Sequence, residues 1–193
     1  MKSILLAAGL ATATFTGTAA FAAPEAYVLD PSHSQIVFSY NHLGFSTTTG
    51  MFSGFEGTIS FDQEDPAASS VEVTFPVSSM MTGWEKRDAH FQSEDFFNTA
   101  QNADVSFKST SIEVTGEKTA DITGDLTMNG TTKPVTLKAE MTQMGDHPMQ
   151  KKPWVGFNAT TTVIRSDYGL GQFAPFVSDE VEIMISIEAS KAE

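Results

Sequence analysis

The sequence contains no cysteine. That excludes thiol nucleophiles, thiolate metal sites, disulfides and a lipid-modified amino-terminal cysteine. Stability has to come from a packed core instead. Arginine is nearly as scarce, with Arg87 and Arg165 the only two. The four histidines, His33, His42, His90 and His147, are not paired at metal-ligand spacing. No metal site is therefore expected, and hydrogen bonding in turns or to a headgroup is the expected histidine role. H-E-x-x-H, G-x-S-x-G and glycine-rich phosphate loops are all missing. Basic residues are few: 11 Lys and Arg stand against 24 Asp and Glu, a formal net charge of −13. Such a balance disfavours nucleic acid and anionic membrane surfaces as electrostatic partners. Linkers, low-complexity tracts and internal repeats are also wanting.

One long apolar run is present, at the amino terminus. Lys2 precedes an uncharged stretch from Ile4 to Phe21, and Ala20-Phe21-Ala22 has the small-x-small form of a cleavage site. Residues 1–22 therefore read as a secretory signal peptide cleaved after about Ala22, and the expected location is the periplasm. An uncleaved anchor is the alternative. Loss of Lys2 leaves 10 basic residues against 24 acidic, a net charge near −14. Residues 23–193 suit one domain with a sizeable core.

Most of that domain alternates with the period of a β-strand. The first strand covers about 26–42, with Ile36, Phe38, Tyr40 and His42 on one face and a bend at Asp30-Pro31-Ser32-His33-Ser34. A second covers about 50–62, where Gly50, Gly54 and Gly57 suit a strongly bent barrel strand. Val71 to Val77 marks the third. The parity of Val105 and Phe107 changes before Ile112 and Val114, which predicts a bulge near Ser109–Ser111. Ile122 to Met128 leads into Asn129-Gly130, a strong hairpin signal, and Val135 to Met141 follows. Val155 to Val163 and Val181 to Ala189 complete eight antiparallel strands. These fit an all-β, up-and-down eight-stranded barrel able to hold a small ligand; a filled two-sheet sandwich is the rival.

One segment of the domain departs from this pattern, a short helical insert near residues 82–98. Thr82 and Glu85 have capping-box spacing. Trp84, Asp88 and Phe91 fall on one helical face. Ser93, Glu94 and Asp95 resemble a second helix start, closed by Phe96 and Phe97. An aromatic helix set into a barrel is either a plug for one end or a surface that touches ligand, and it can be both.

The order of short motifs resembles the YceI-like family. The pieces are Asp30-Pro31-Ser32-His33-Ser34, His42-Leu43-Gly44 with Gly50-Met51-Phe52, and Arg87-Asp88-Ala89-His90-Phe91 with Phe96-Phe97-Asn98. They continue through Gly124-Asp125-Leu126-Thr127, Gly130, Lys133-Pro134-Val135 and Gly156-Phe157 to Arg165-Ser166-Asp167-Tyr168-Gly169 and Val177-Ser178-Asp179-Glu180-Val181. The resemblance covers about residues 26–190. It implies a lipocalin-like barrel in the periplasm holding a long isoprenoid lipid, such as a polyprenyl phosphate or an isoprenoid quinone. It also implies a homodimer as the possible assembly. Phe91, Asn98, Ala103 and Asn129 stand where Leu, Asp, Pro and His are usual in the family.

On this reading the aromatics expected at the ligand are Phe38, Phe45, Phe52, Trp84, Phe91 and Phe96. The polar candidates are His42, Arg87, Asp88, His90 and Arg165. The two arginines fit a clamp on a phosphate or other polar headgroup. The alternative is two structural ion pairs, Arg87 with a nearby acid and Arg165 with Asp167 or Asp179. No cofactor and no catalytic set are expected, only a bound lipid. Each buried methylene contributes about 0.8 kcal/mol against water, but little against a bilayer that is itself apolar. A barrel able to rival the membrane therefore suits a carrier or buffer in transient membrane contact. The rivals are an enzyme using His42, Asp88 and His90 on an isoprenoid substrate, and a stress-related structural protein whose barrel is filled by its own side chains.

Overall fold

The computed structural model describes residues 23–193, so the proposed signal peptide lies outside the described residues. Ten strand segments follow the alternating stretches: β1 (Glu25–Leu29), β2 (Gln35–His42), β3 (Ser46–Phe52), β4 (Glu56–Phe61) and β5 (Ser70–Pro76), then β6 (Asp104–Val114), β7 (Thr119–Met128), β8 (Thr131–Asp146), β9 (Pro153–Ile164) and β10 (Glu180–Lys191). Every pairing is antiparallel. β1 and β2 lie end to end along β10, with Leu29 opposite Ala189 and Gln35 opposite Ser186. β4 pairs with β1 and β3 with β2, so each broken pair acts as one bent strand. The ring then runs from β4 through β5 and onward to β10, which pairs back to β1. This is a closed eight-strand antiparallel barrel, and closure leaves no second sheet for a sandwich.

The breaks have local causes. Between β1 and β2, Asp30 Oδ1 accepts from the backbone N–H and the hydroxyl of Ser32 at 2.9 and 2.6 Å, which turns the chain. Between β3 and β4, Gly54 takes a left-handed φ of 72°. The register shift in β6 falls between Ser109 and Ser111, where the parity change places it. Asn129 and Gly130 have φ of 49° and 71°, the signs that a two-residue type I′ hairpin needs.

One side of the interior is packed with rings tilted against one another. Phe38 and Phe52 have centroids 5.4 Å apart, Phe52 and Phe75 5.1 Å, and Phe55 and Phe75 5.1 Å. Tyr27, Val155 and Ala189 are buried beside them in the same cluster. A smaller cluster of Val163, Tyr168 and Leu170 lies where β9 ends.

The insert leaves the barrel after β5 and returns before β6. Its base is closed by the Val77 N–H donating to Ala103 at 2.8 Å, and Met81 bridges to Met51 of β3. Its one α-helix, α1, is shorter than expected, Glu85–Gln92, and starts at Trp84 without a side-chain cap. The capping box does not form. Gly83, at φ 78°, turns the chain between Thr82 and the helix, and the Thr82 hydroxyl is engaged elsewhere. Ser93 ends α1 rather than starting a second helix; its hydroxyl donates to His90 O at 2.7 Å, and residues 94–97 form a turn.

Candidate functional site

The inward-facing residues of all eight strands surround a cavity of about 900 Å³. It runs from His42, Trp84 and Phe173 at one end to Ser69 and the Gly116–Thr119 turn at the other. Ile183, Ile185 and Ile187 of β10 and Val135, Leu137 and Met141 of β8 are typical of its wall. Strand alternation places them there, since residues two apart share the inner face. β9 has 12 residues, and a strand of that length, rising about 3.3 Å per residue and tilted about 40°, spans roughly 30 Å.

The residues expected at the ligand divide into three groups. Phe38, Phe52, Phe91 and Phe96 line the cavity, with Phe91 of α1 packed against Phe96 at 5.1 Å. His42, Trp84, Arg87, His90 and Arg165 line the end that α1 covers, which we call the mouth. Phe45 and Asp88 do not line it: Phe45 stands 90% exposed on the β2–β3 hairpin, and Asp88 turns to Thr82. Sequence reasoning missed Lys86, Phe97, Gln172 and Phe173, which also line the mouth. Phe97 was legible as the neighbour of Phe96. Gln172 and Phe173 sit in the irregular connection between β9 and β10, where no periodicity marks a facing direction.

Neither arginine makes the expected ion pair, and neither is free to act only as a clamp. Arg87 Nε donates to the Thr82 hydroxyl at 2.9 Å and Nη2 to the Thr82 carbonyl at 2.8 Å. Asp88 Oδ1 accepts from the backbone N–H and the hydroxyl of the same threonine at 2.9 and 2.5 Å. Thr82, Arg87 and Asp88 thus fasten the first turns of α1 to the residue that follows the Met81–Met51 bridge. Arg165 donates to four backbone carbonyls: Ser178 at 2.8 Å, Gln172 and Val177 at 2.9 Å, and Leu170. Burial lowers its pKa below the ordinary arginine value, against the pull of Asp179 and Tyr40. Asp179 instead accepts from the backbone and hydroxyl of Ser166, and Asp167 lies 3.9 Å from Lys133.

The histidines have separate surroundings. His90 Nε2 lies 3.2 Å from Asp95 and its ring meets Phe96 edge to face at 5.0 Å. His147 packs against Trp154 at 4.7 Å. His33 Nδ1 lies 2.6 Å from Asp30 at the β1–β2 bend, away from the cavity, with Glu188 nearby. Hydrogen bonding to Asp30 raises the His33 pKa; burial pushes Asp30 up, but its bonds to His33 and Ser32 win and its pKa falls. Asn129, at the family's frequent histidine position, accepts from Asn102 at 3.0 Å and donates to the Tyr168 carbonyl at 2.9 Å.

Comparison with known proteins agrees with this architecture. The family model described as YceI-like domain matches residues 27–189. The protein YceI of Escherichia coli O157:H7 is 39% identical over 188 residues, covering 97% of each chain. A UPF0312 protein of Pseudomonas aeruginosa is 38% identical over 192 residues, again covering 97% of each. Among solved structures, the Campylobacter jejuni YCEI protein superposes with a TM-score of 0.71 at 28% identity, over 79% of this chain and 90% of that one. A polyisoprenoid binding domain from Saccharophagus degradans shares the fold, with a TM-score of 0.67 at 13% identity over 87% of this chain and 99% of that one. A barrel with an apolar cavity, a helical insert at its mouth and a match to the family model from Tyr27 to Ala189 together place the chain in the YceI-like domain family.

Proposed function

We propose that the protein binds a long-chain isoprenoid or similar amphiphile, its tail in the barrel and its polar end at the mouth, and carries it as an exported, periplasmic protein. The observation that carries this reading is the apolar cavity running along the barrel, about 900 Å³ in volume. Its roughly 30 Å of barrel height matches the hydrocarbon thickness of a bilayer, so a tail exchanges one apolar environment for another of similar length. The Saccharophagus degradans domain, described as polyisoprenoid binding, lends support through a shared fold. At the mouth, Lys86, Arg87 and His90 offer donors on one side of α1 to an anionic or polar headgroup.

A binding role fits the polar groups better than an enzymatic one. Asp88 is held by Thr82 and His90 faces Asp95, so His42, Asp88 and His90 are not drawn into one acid–base set. The cavity itself argues against a barrel filled by its own side chains.

The test is organic extraction of the purified protein followed by mass spectrometry, with uptake of added polyprenol or isoprenoid quinone as a second arm. A stoichiometric isoprenoid in the extract is the expected result. A lipid-free extract from protein that also fails to take up either lipid would overturn the reading.

A further inference from the structure

The mouth is ringed by apolar side chains that face water. Leu43 (48% exposed) and Phe45 (90%) form the tip of the β2–β3 hairpin, Trp84 (58%) starts α1, and Phe173 (56%) and Phe176 (75%) lie on the β9–β10 connection. These three segments meet at one end of the barrel. The Leu43 N–H donates to Phe176 O at 3.1 Å, His42 bridges to Val177, and the Phe173 ring lies 6.4 Å from Phe96 of the insert. Other exposed apolar residues, such as Val28 and Met184, point outward from the barrel wall.

The rim is held in place at a cost. Leu43 and Phe173 both adopt left-handed backbone conformations, φ 57° and 67°, which side chains with a Cβ disfavour by about 1–2 kcal/mol. Backbone hydrogen bonds fix them, Leu43 N–H to Phe176 O and Val177 N–H to Phe173 O at 3.0 Å. Arg165 ties the same connection to the barrel through four carbonyls. The apolar tips are therefore presented by fastened loops.

We infer that this rim docks on a zwitterionic phospholipid bilayer, so that the cavity opens directly into the membrane's apolar interior. Three observations choose that occupant. Trp84 and Phe173 belong both to the cavity lining and to the exposed rim, which makes one continuous apolar path from barrel to surface. The five side chains together expose roughly 700 Å². They are spread over three tips around an opening, a shape a deformable bilayer covers better than a second rigid surface. Finally, the chain has a net charge of −13, and Glu85, Glu94 and Asp95, exposed beside the mouth, outnumber the exposed Lys86 there. That charge repels both another copy and an anionic lipid surface, leaving apolar insertion into a neutral interface.

The purpose of such docking rests on the carrier reading, but its test does not. Protein from Ala23 onward, which carries every strand of the barrel, is floated with phosphatidylcholine vesicles at low and high salt. Flotation that is insensitive to salt is expected. Phe45→Asp with Phe176→Asp, two positions outside the cavity lining, should weaken partition about tenfold or more. The same double variant should keep its thermal midpoint and its uptake of polyprenol dispersed in detergent. In a Trp154→Phe background, vesicles should shift the Trp84 emission to the blue. No flotation, or flotation untouched by the double variant, would overturn the docking. So would a concentration-dependent dimer that the double variant abolishes, since the rim would then belong to a second copy. Loss of polyprenol uptake in the unsubstituted protein would instead count against the carrier reading, leaving the flotation result to stand or fall alone.

Discussion

Gly50 and Gly124 decide how closely two rings approach the barrel wall. A Cβ added at Gly50 would lie 2.3 Å from Cζ of Phe38, its cross-strand partner. At Gly124 the added atom would meet both Cζ of Phe107 at 2.4 Å and the Lys108 carbonyl oxygen at 2.5 Å. The two sites therefore differ in what has to move: a side chain at one, a side chain and backbone at the other. Gly50→Ala and Gly124→Ala should each destabilise by about 1–3 kcal/mol through overpacking. Phe38→Leu should recover much of the loss in Gly50→Ala, whereas Phe107→Leu should leave Gly124→Ala impaired. Urea unfolding of the four variants checks this, and equal rescue at both sites would show that the backbone contact does not matter.

Among the elements, the β9–β10 connection depends on one side chain. Arg165 satisfies four carbonyls of residues 170–178, a stretch with no strand ladder to do so. Arg165→Ala should cost about 2–3 kcal/mol, because charged hydrogen bonds are lost and carbonyls are left unpaired. Arg165→Lys should recover little of it, since a single ammonium cannot span the fork. If the arginine acted chiefly on a headgroup, lipid-free stability would be unchanged and only lipid affinity would fall; chemical unfolding alongside polyprenol titration separates the two. The contrast with the strands shows what the sequence could convey. Alternation placed Ile183, Ile185 and Ile187 inside, the parity change located the bulge at Ser109–Ser111, and Asn129-Gly130 marked its hairpin, because each signal is local. The partners of Arg165 and Thr82 were not legible because they depend on how irregular segments fold back. Gly83 redirects Thr82 away from a cap, and no spacing rule announces a guanidinium bound to main-chain oxygens. The family resemblance supplied the segments that matter at the mouth, but not which of their atoms are already engaged.

For the molecule as a whole, ring closure and an open interior pull in opposite directions. Closure removes sheet edges and secures the backbone. The cavity leaves inward side chains such as Ile185, Leu137 and Val135 without the neighbours a filled core would give them. On the proposed function, a tail in that space would restore those contacts and bind only the folded barrel, which would link occupancy to stability. One ligand present at 100 times its Kd stabilises by about 2.7 kcal/mol. For a domain of this size each kcal/mol moves the thermal midpoint by about 2–4 °C. Stripping the lipid with organic solvent and refolding should therefore lower the midpoint by roughly 5–10 °C. Adding polyprenol back should restore it progressively with concentration, and an alkane-free headgroup analogue should not, because the missing contacts are along the wall rather than at the mouth. Calorimetry on stripped and reloaded protein measures this directly. An unchanged midpoint on stripping and reloading would mean that the barrel's stability lies wholly in the ring packing around Phe38, Phe52 and Phe75, with the cavity energetically idle.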